Sequence, residues 1–272
     1  MSAAPNSPEH VRAQYTDPAN LEARAALHQQ FGTNPRGWYA WVQDQLALPD
    51  RCRVLELGCG TCGLWRANRE RVPVGWQILL SDLSPGMLGA ARGDLGGKGH
   101  TFTFQVADAQ AIPFADESLD AVIANHMLYH VPDLERCLVE IRRALKVGGQ
   151  LYAATNGAGH LQELRELTGR VTRRLQFSDP DRSRLFGLEN GSALLERHFS
   201  NVVLRRYENA LHITEVEPLI AYLLSTIGAD AVLSDEGVEA LRRIARERIA
   251  TDGAIRVSGN TGMFAAQRPA KP

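Results

Sequence analysis

The chain holds 272 residues, 44% of them hydrophobic, enough to bury the core of one large α/β domain, or of a domain with a small cap, and too apolar for a globally disordered chain. Lys and Arg number 30 against 31 Asp and Glu, a formal net charge of −1, so the basic excess of a duplex-binding surface is missing and no nucleic-acid partner is expected. No apolar run reaches membrane-spanning length, and residues 1–10 lack the charged start and apolar stretch of a signal peptide, so the expectation is a cytoplasmic protein with no membrane partner.

In chain order, 18–30 reads as a helix carrying Leu21, Ala25 and Leu27, and 32–37 as a turn. Residues 38–48 form an amphipathic helix with Trp38, Trp41, Val42 and Leu46 at helical spacing, ended by Pro49-Asp50. Strands and helices then alternate. Strand 53–57 runs into glycines, 62–70 is a helix and 77–81 a second strand. Ser84 and Pro85 open a helix as N-cap and first residue. Strands 101–106 and 119–124 follow, then a helix capped by Asp133 and running to 145, then a turn at Val147-Gly148-Gly149 into strand 150–155. This alternation predicts a doubly wound, mainly parallel sheet. Beyond it, 160–175 and 192–198 read as helices, 201–207 as a sixth strand, 215–227 and 235–250 as helices, and 254–268 as a hairpin turning at Gly259-Asn260.

The chemistry centres on Val54-Leu55-Glu56-Leu57-Gly58-Cys59-Gly60-Thr61-Cys62-Gly63. A strand ends, the backbone turns sharply and a helix begins; glycines there admit permissive φ angles and the close approach of a ligand. Gly58, Gly60 and Gly63 fit the dinucleotide fingerprint G-x-G-x-x-G. Cys59 and Cys62 also form a Cys-x-x-Cys, but no second such pair and no His pair at ligand spacing follows, and four cysteines in a chain of this length do not suggest a disulfide framework, so no metal is expected. Glu56, two residues before the first glycine, would repel a pyrophosphate and suits a ligand with a positive end, such as the ammonium of a methionine.

Downstream, Asp82 closes the second strand roughly twenty residues after the glycines, where an acid accepts both ribose hydroxyls. Asp108 follows the third strand, placed either to accept from an adenine amino group or to cap its own loop. Asn125 and His126 follow the fourth. Polar residues thus mark the strand ends at which open α/β sheets bind ligands.

Through these residues the sequence resembles a class I S-adenosylmethionine (SAM)-dependent methyltransferase of the small-molecule type, similar to the ubiquinone/menaquinone and natural-product branch. The resemblance rests on Val-Leu-Glu-Leu-Gly-Cys-Gly-Thr at 54–61, Ser-Asp-Leu-Ser-Pro-Gly-Met at 81–87, Ala-Asp-Ala-Gln-Ala-Ile-Pro-Phe at 107–114, Leu-Asp-Ala-Val-Ile-Ala-Asn-His-Met-Leu-Tyr-His-Val at 119–131 and Leu-Lys-Val-Gly-Gly-Gln-Leu at 145–151. It implies a doubly wound, mostly parallel, seven-stranded Rossmann-like sheet with an antiparallel last strand, plus a helical lid and insertion. Residues 1–48 would be the lid, 49–208 the SAM-binding core, 209–252 a helical insertion forming a substrate cap, and 253–272 a hairpin completing the core sheet. It further implies that Glu56, Gly58, Cys59 and Gly60 hold the methionine end of SAM, Asp82 the ribose, Leu83 and Met87 the neighbourhood of the adenine, Asp108 and Ala109 its edge, and that Asn125 and His126 stand beside the sulfonium. Cys62 stands where such proteins usually carry glycine.

The implied reaction is methyl transfer to an O, N or C atom of a small molecule, for instance a secondary metabolite, with S-adenosylhomocysteine (SAH) as product. A general base helps where the acceptor is a hydroxyl or an acidic carbon. His126 and His130 follow the fourth strand, four residues apart, and His130 is the preferred base because His126 adjoins Asn125. Tyr15, His28, Trp38 and Tyr222 are the candidate lining of the acceptor pocket, and the protein is expected to act as a monomer or homodimer. Three alternatives remain at this level. A SAM-binding scaffold or cyclase would show the same cofactor site without methyl transfer. An NAD-dependent oxidoreductase would keep the glycines and Asp82 but not explain Glu56. A nucleic-acid methyltransferase would need an Asn-Pro-Pro-Tyr-like tetrapeptide where Asn125-His126-Met127-Leu128 stands.

Overall fold

A computed structural model describes residues 18–95, 101–169, 171, 180–226 and 233–270. Helices α1 (Pro18–Phe31) and α2 (Trp38–Gln45) precede the first strand, β1 (Cys52–Leu57). The alternating part comprises α3 (Gly63–Ala67), β2 (Trp76–Asp82), α4 (Pro85–Leu95), β3 (Thr101–Val106), β4 (Leu119–Asn125), α5 (Leu134–Ala144) and β5 (Leu145–Asn156). The rest comprises α6 (Gln162–Gly169), α7 (Pro180–Leu185), α8 (Gly191–Leu195), β6 (Ser200–Tyr207), β7 (Ala210–Ile213), α9 (Val216–Ser225), α10 (Asp235–Asp252), β8 (Ile255–Ser258) and β9 (Thr261–Gln267).

Seven strands form one sheet in the order β3-β2-β1-β4-β5-β9-β6. The first five pair in parallel, and β9 is antiparallel to both of its neighbours. Helices cover both faces, so the central strands are nearly continuous apolar runs rather than alternating ones. Along β1 and β4 successive residues feed two cores. Leu55, Leu57, Val122 and Ala124 pack with Leu138, Ile141 and Phe264 on one side; Val54, Ala121 and Ile123 pack with Trp65, Ile78 and Tyr152 on the other. The predicted caps form: the Asp133 side chain accepts from Arg136 N at 3.0 Å, and Met87 N donates to Ser84 Oγ at 3.4 Å.

A third core builds the cap. Leu27 and Phe31 of α1 meet Leu164 of α6, Leu211 and Ile213 of β7, Leu219, Ile220 and Leu223 of α9, and Leu241 of α10. The N-terminal helix and the late insertion, read from sequence as two units, thus share one apolar interior over the carboxyl edge of the sheet. Leu219, Leu223 and Phe31 serve this interior.

The structure corrects several boundaries. The stretch 254–268 is not a hairpin: β8 pairs with β7 in a separate two-stranded sheet, while β9 enters the main sheet between β5 and β6. Gly259-Asn260 does not reverse the chain: β8 opposes β7 and β9 opposes β6 in one antiparallel register, which Gly259 N carries across the break by donating to Asn209 O at 3.1 Å. The insertion 209–252 is accordingly not purely helical. Val147-Gly148-Gly149 does not precede a strand; it is an irregularity within β5, where the pairing with β4 shifts register and Gly148 has φ 79°. The helix expected over 62–70 is short, ending at Ala67 and followed by a 3-10 turn at Arg69–Arg71. The helix expected over 160–175 is described only to Gly169.

Candidate functional site

The turn after β1 keeps its shape through residues of opposite steric character. Gly58 (φ 62°) and Gly60 (φ 54°) lie in the left-handed region, open to glycine without penalty. At Gly58 a Cβ would also stand 2.9 Å from Cβ of Met127. Cys62, the residue out of pattern, adopts φ 60°, ψ 35° with its side chain fully buried. The turn is therefore preserved at Cys62, at a cost of about 1–2 kcal/mol for a side chain in that region. Gly63 does not compensate through φ. Its missing Cβ makes room for Tyr39, whose Cζ and Oη would lie 2.5 Å from that atom.

The acids of the site are held differently. Glu56 is only 2% exposed, and its Oε2 accepts from Trp65 Nε1 at 2.5 Å. Burial pushes its pKa up to about 8; the Trp65 hydrogen bond opposes the shift and the Asp82 charge adds to it. Asp82 accepts from Gly60 N at 2.9 Å and from Ser84 N at 2.8 Å, so the carboxylate at the end of β2 fastens the glycine turn. Burial holds it above the usual carboxylate range against those hydrogen bonds. Asp108 caps its own loop, accepting from Gln110 N at 2.9 Å and Gln110 Nε2 at 3.0 Å, yet still lies on the cavity wall. Asn125 lies there too, and its Oδ1 is buried with no hydrogen bond among the described residues. An orphaned buried acceptor costs about 1–3 kcal/mol and calls for a partner.

These residues surround one end of a cavity of about 650 Å³, within the range that holds a drug-sized ligand. Gly58, Cys59, Gly60, Leu83, Met87 and Ala109 complete that end. Three carboxylates, exposed backbone of a glycine turn and an unpartnered amide oxygen fit a ligand with a cationic amino-acid end and a nucleoside.

The cavity continues under the cap, where the walls become aromatic. Trp38 lies 5.0 Å from the ring of His126 and 5.2 Å from that of Tyr207. His28 lies 6.2 Å from the nearly parallel ring of His160 and 6.0 Å from the ring of Tyr222, edge-on. Burial lowers the pKa of His28 and of His126 to about 4, with His28 adding charge repulsion to His126. Burial, with His28 and His126 next, drives His160 well below the usual histidine value. These three imidazoles are neutral near pH 7. His130 also lines the cavity, from the 3-10 turn Leu128–His130, packed at 4.6 Å against Tyr129.

Of the expected pocket residues, His28, Trp38 and Tyr222 are brought together, and Tyr15 lies outside the described residues. His160 and Tyr207 were missed. The signal for His160 was available in Asn156-Gly157-Ala158-Gly159-His160, a glycine-rich exit from a strand at the ligand-binding edge. Tyr207 carries no comparable signal.

Residues 55–153 match the family model for a methyltransferase domain. The chain is 34% identical over 117 residues to the ubiquinone/menaquinone biosynthesis C-methyltransferase UbiE of Xanthomonas oryzae pv. oryzae, covering 42% of this chain and 46% of that protein. It is 32% identical over 141 residues to the UbiE of Bordetella avium, covering 52% of each. The chain thus spans about half the length of these curated relatives. Among solved structures it is similar to phosphoethanolamine N-methyltransferase 2 of Haemonchus contortus in complex with SAM, with TM-score 0.61 and 20% identity, covering 99% of this chain and 61% of that one. It is also similar to the cyclase SpnF, with TM-score 0.58 and 17% identity, covering 100% and 99%. Residues 55–153 thus match a methyltransferase domain, on a fold shared with the solved methyltransferase above.

Proposed function

We propose that the protein transfers the methyl group of SAM to a small-molecule acceptor, releasing SAH. The observation that carries this reading is that one cavity is lined both by the glycine turn with its acids and by the aromatic, histidine-bearing cap. Bound SAM supplies an electrophilic methyl carbon on a sulfonium. In this reading Glu56 meets the ammonium, Asp82 the ribose hydroxyls, Asp108 and Ala109 the adenine edge with Leu83 and Met87 beside it, and the Gly58-Cys59-Gly60 backbone the methionine end. Asn125 supplies its unpartnered oxygen near the sulfonium. The chain contributes alignment of the acceptor and exclusion of water. We further propose a secondary metabolite as acceptor and the cytoplasm as the place of action, by a monomer or homodimer.

Calorimetry tests the cofactor. SAM and SAH are expected to bind, and NAD not; NAD binding without SAM binding would refute the reading. The same titration carries a proton signature. Without ligand, the pKa of Glu56 near 8 leaves it mostly protonated at pH 7, whereas contact with an ammonium favours the carboxylate. SAM binding at pH 7 is therefore expected to release a proton, and affinity to climb with pH up to about 8 and then level off. Heats measured in buffers of different ionisation enthalpy read this release, and Glu56→Gln should abolish it. A panel of acceptors screened for the mass gain of one methylene then tests transfer. Tight SAM binding with no gain across the panel would favour the scaffold alternative.

For the proton acceptor we place His126 before His130. The His126 ring makes no hydrogen bond among the described residues, is kept neutral by burial and so holds a lone pair, and stands against Trp38 on the cavity wall. His126→Ala is expected to lower the methyl-transfer rate by about a hundredfold, the usual scale of general acid–base catalysis, with SAH affinity little changed. Should His130→Ala carry that loss instead, the base is His130.

A further inference from the structure

The cap end of the cavity is built for hydrogen bonding without charge. His28 lines it from α1, and its ring nitrogens make no hydrogen bond among the described residues although the ring is packed between those of His160 and Tyr222. The neighbours hold that ring in place. His160 is fixed by the backbone N–H of Asn260, which donates to its Nδ1 at 3.2 Å, so the proton of the neutral His160 ring sits on Nε2. The charged lining residues are unevenly distributed: Glu56, Asp82 and Asp108 all stand at the glycine-turn end. Among the described residues the one cation on the wall is Arg24, and it is committed to Ser225, donating from Nε to Oγ at 3.3 Å and from a terminal nitrogen to the carbonyl oxygen.

Resting on the transferase reading above, we propose that His28 is the acceptor-recognition residue, and that it selects an uncharged, hydroxyl-bearing aromatic molecule over an amine or a carboxylate. A neutral imidazole presents one donor and one acceptor, and a hydroxyl, itself donor and acceptor, can answer whichever of the two faces it. Among the described residues, an ammonium, which carries donors only, would be buried at this end without a carboxylate, and a carboxylate, which carries acceptors only, would meet no uncommitted cation. Either would bear the desolvation of an unpaired charge. The flat walls supplied by Trp38, Tyr207 and Tyr222 give an aromatic ring its contact area.

Three probes on one skeleton test this: naphthol, naphthoate and naphthylmethylammonium, titrated into SAH-loaded full-length protein with 15N-histidine labelling. Naphthol is expected to bind at least about tenfold tighter than the other two, one decade of affinity, and to move the His28 ring-nitrogen resonances. His28→Phe should lose that tenfold while SAH affinity is kept, and His28→Asn, which retains a donor and an acceptor, should recover part of it. In turnover with whatever acceptor the methylene screen finds, His28→Phe should raise KM with kcat little changed, the reverse of His126→Ala. Tighter binding of naphthoate or the ammonium, no naphthol binding, or naphthol binding unaffected by His28→Phe would each overturn the proposal. SAH calorimetry on the same sample separates the two levels: loss of SAH binding in the unsubstituted protein refutes the cofactor reading, whereas SAH binding with the wrong probe preference refutes only the role of His28.

Discussion

Replacing Asp82 by Ala is expected to weaken SAM binding by about a hundredfold or more. The carboxylate acts twice. It would accept the ribose hydroxyls, and it already accepts the N–H groups of Gly60 and Ser84 at 2.9 and 2.8 Å. Removing it frees the glycine turn and leaves two inward-facing donors unpaired. Hydrogen bonds to a charged group contribute about 1.5–3 kcal/mol each, and each 1.4 kcal/mol is about tenfold in affinity. Asp82→Asn keeps an oxygen acceptor but loses the charge, and should fall between. Titration calorimetry with SAH measures both variants. An Asp82→Ala protein that binds SAH as tightly as the unsubstituted one would remove Asp82 from the ribose.

Gly58→Ala is expected to cost stability and cofactor binding together. The substitution forces a side chain to φ 62° and sets its Cβ 2.9 Å from Cβ of Met127, an atom fixed to the backbone. Left-handed strain is worth about 1–2 kcal/mol and overpacking about 1–3 kcal/mol. Chemical denaturation should show a loss of about 2–5 kcal/mol on these scales. Gly253→Ala is the control. Gly253 also has a positive φ, 77°, but a Cβ there meets nothing within 4 Å, so only the strain remains. A Gly58→Ala loss no larger than that at Gly253 would show that Met127 yields freely. Because Met127 follows His126 directly, any yielding moves the segment that carries Asn125 and His126, and SAM binding should suffer even where the protein stays folded.

Asp82, Asp108 and Asn125 were legible in the sequence because their placement is local. Asp82 and Asn125 close their strands and Asp108 stands two residues beyond the end of β3, and in a parallel sheet every such end faces the same edge. The histidine wall was not legible in this way. His28 and His160 belong to a helix and a loop on opposite sides of the core in sequence, and only the third apolar core, shared by α1, α9 and α10, brings them face to face. No periodicity encodes that meeting. The misreading at 254–268 has a related cause. Gly259-Asn260 has the composition of a turn, but here it only interrupts a ribbon in which β8 and β9 run on in one direction against β7 and β6, so the long-range partners and not the local residues decide the path. At Val147-Gly148-Gly149 the glycine signal was again real; it bends a strand instead of opening one. Cys62 shows the converse, where the residue type argued against a backbone shape that the surrounding turn imposes regardless.

The place of β9 has a consequence for how the molecule is made. On the ribosome β5 and β6 emerge well before the strand that must lie between them, so the nascent chain waits with two unfilled backbone edges and a sheet of long-range pairings still to close. Asn260, whose N–H sets the tautomer of His160, and Thr261, which lines the cavity, arrive with that same strand. The residues of the glycine turn and its acids all precede β5 in the chain, whereas the cap end of the cavity awaits β9. On the function proposed above, a chain made only as far as β6 holds the cofactor-facing residues but lacks the wall that would seat an acceptor.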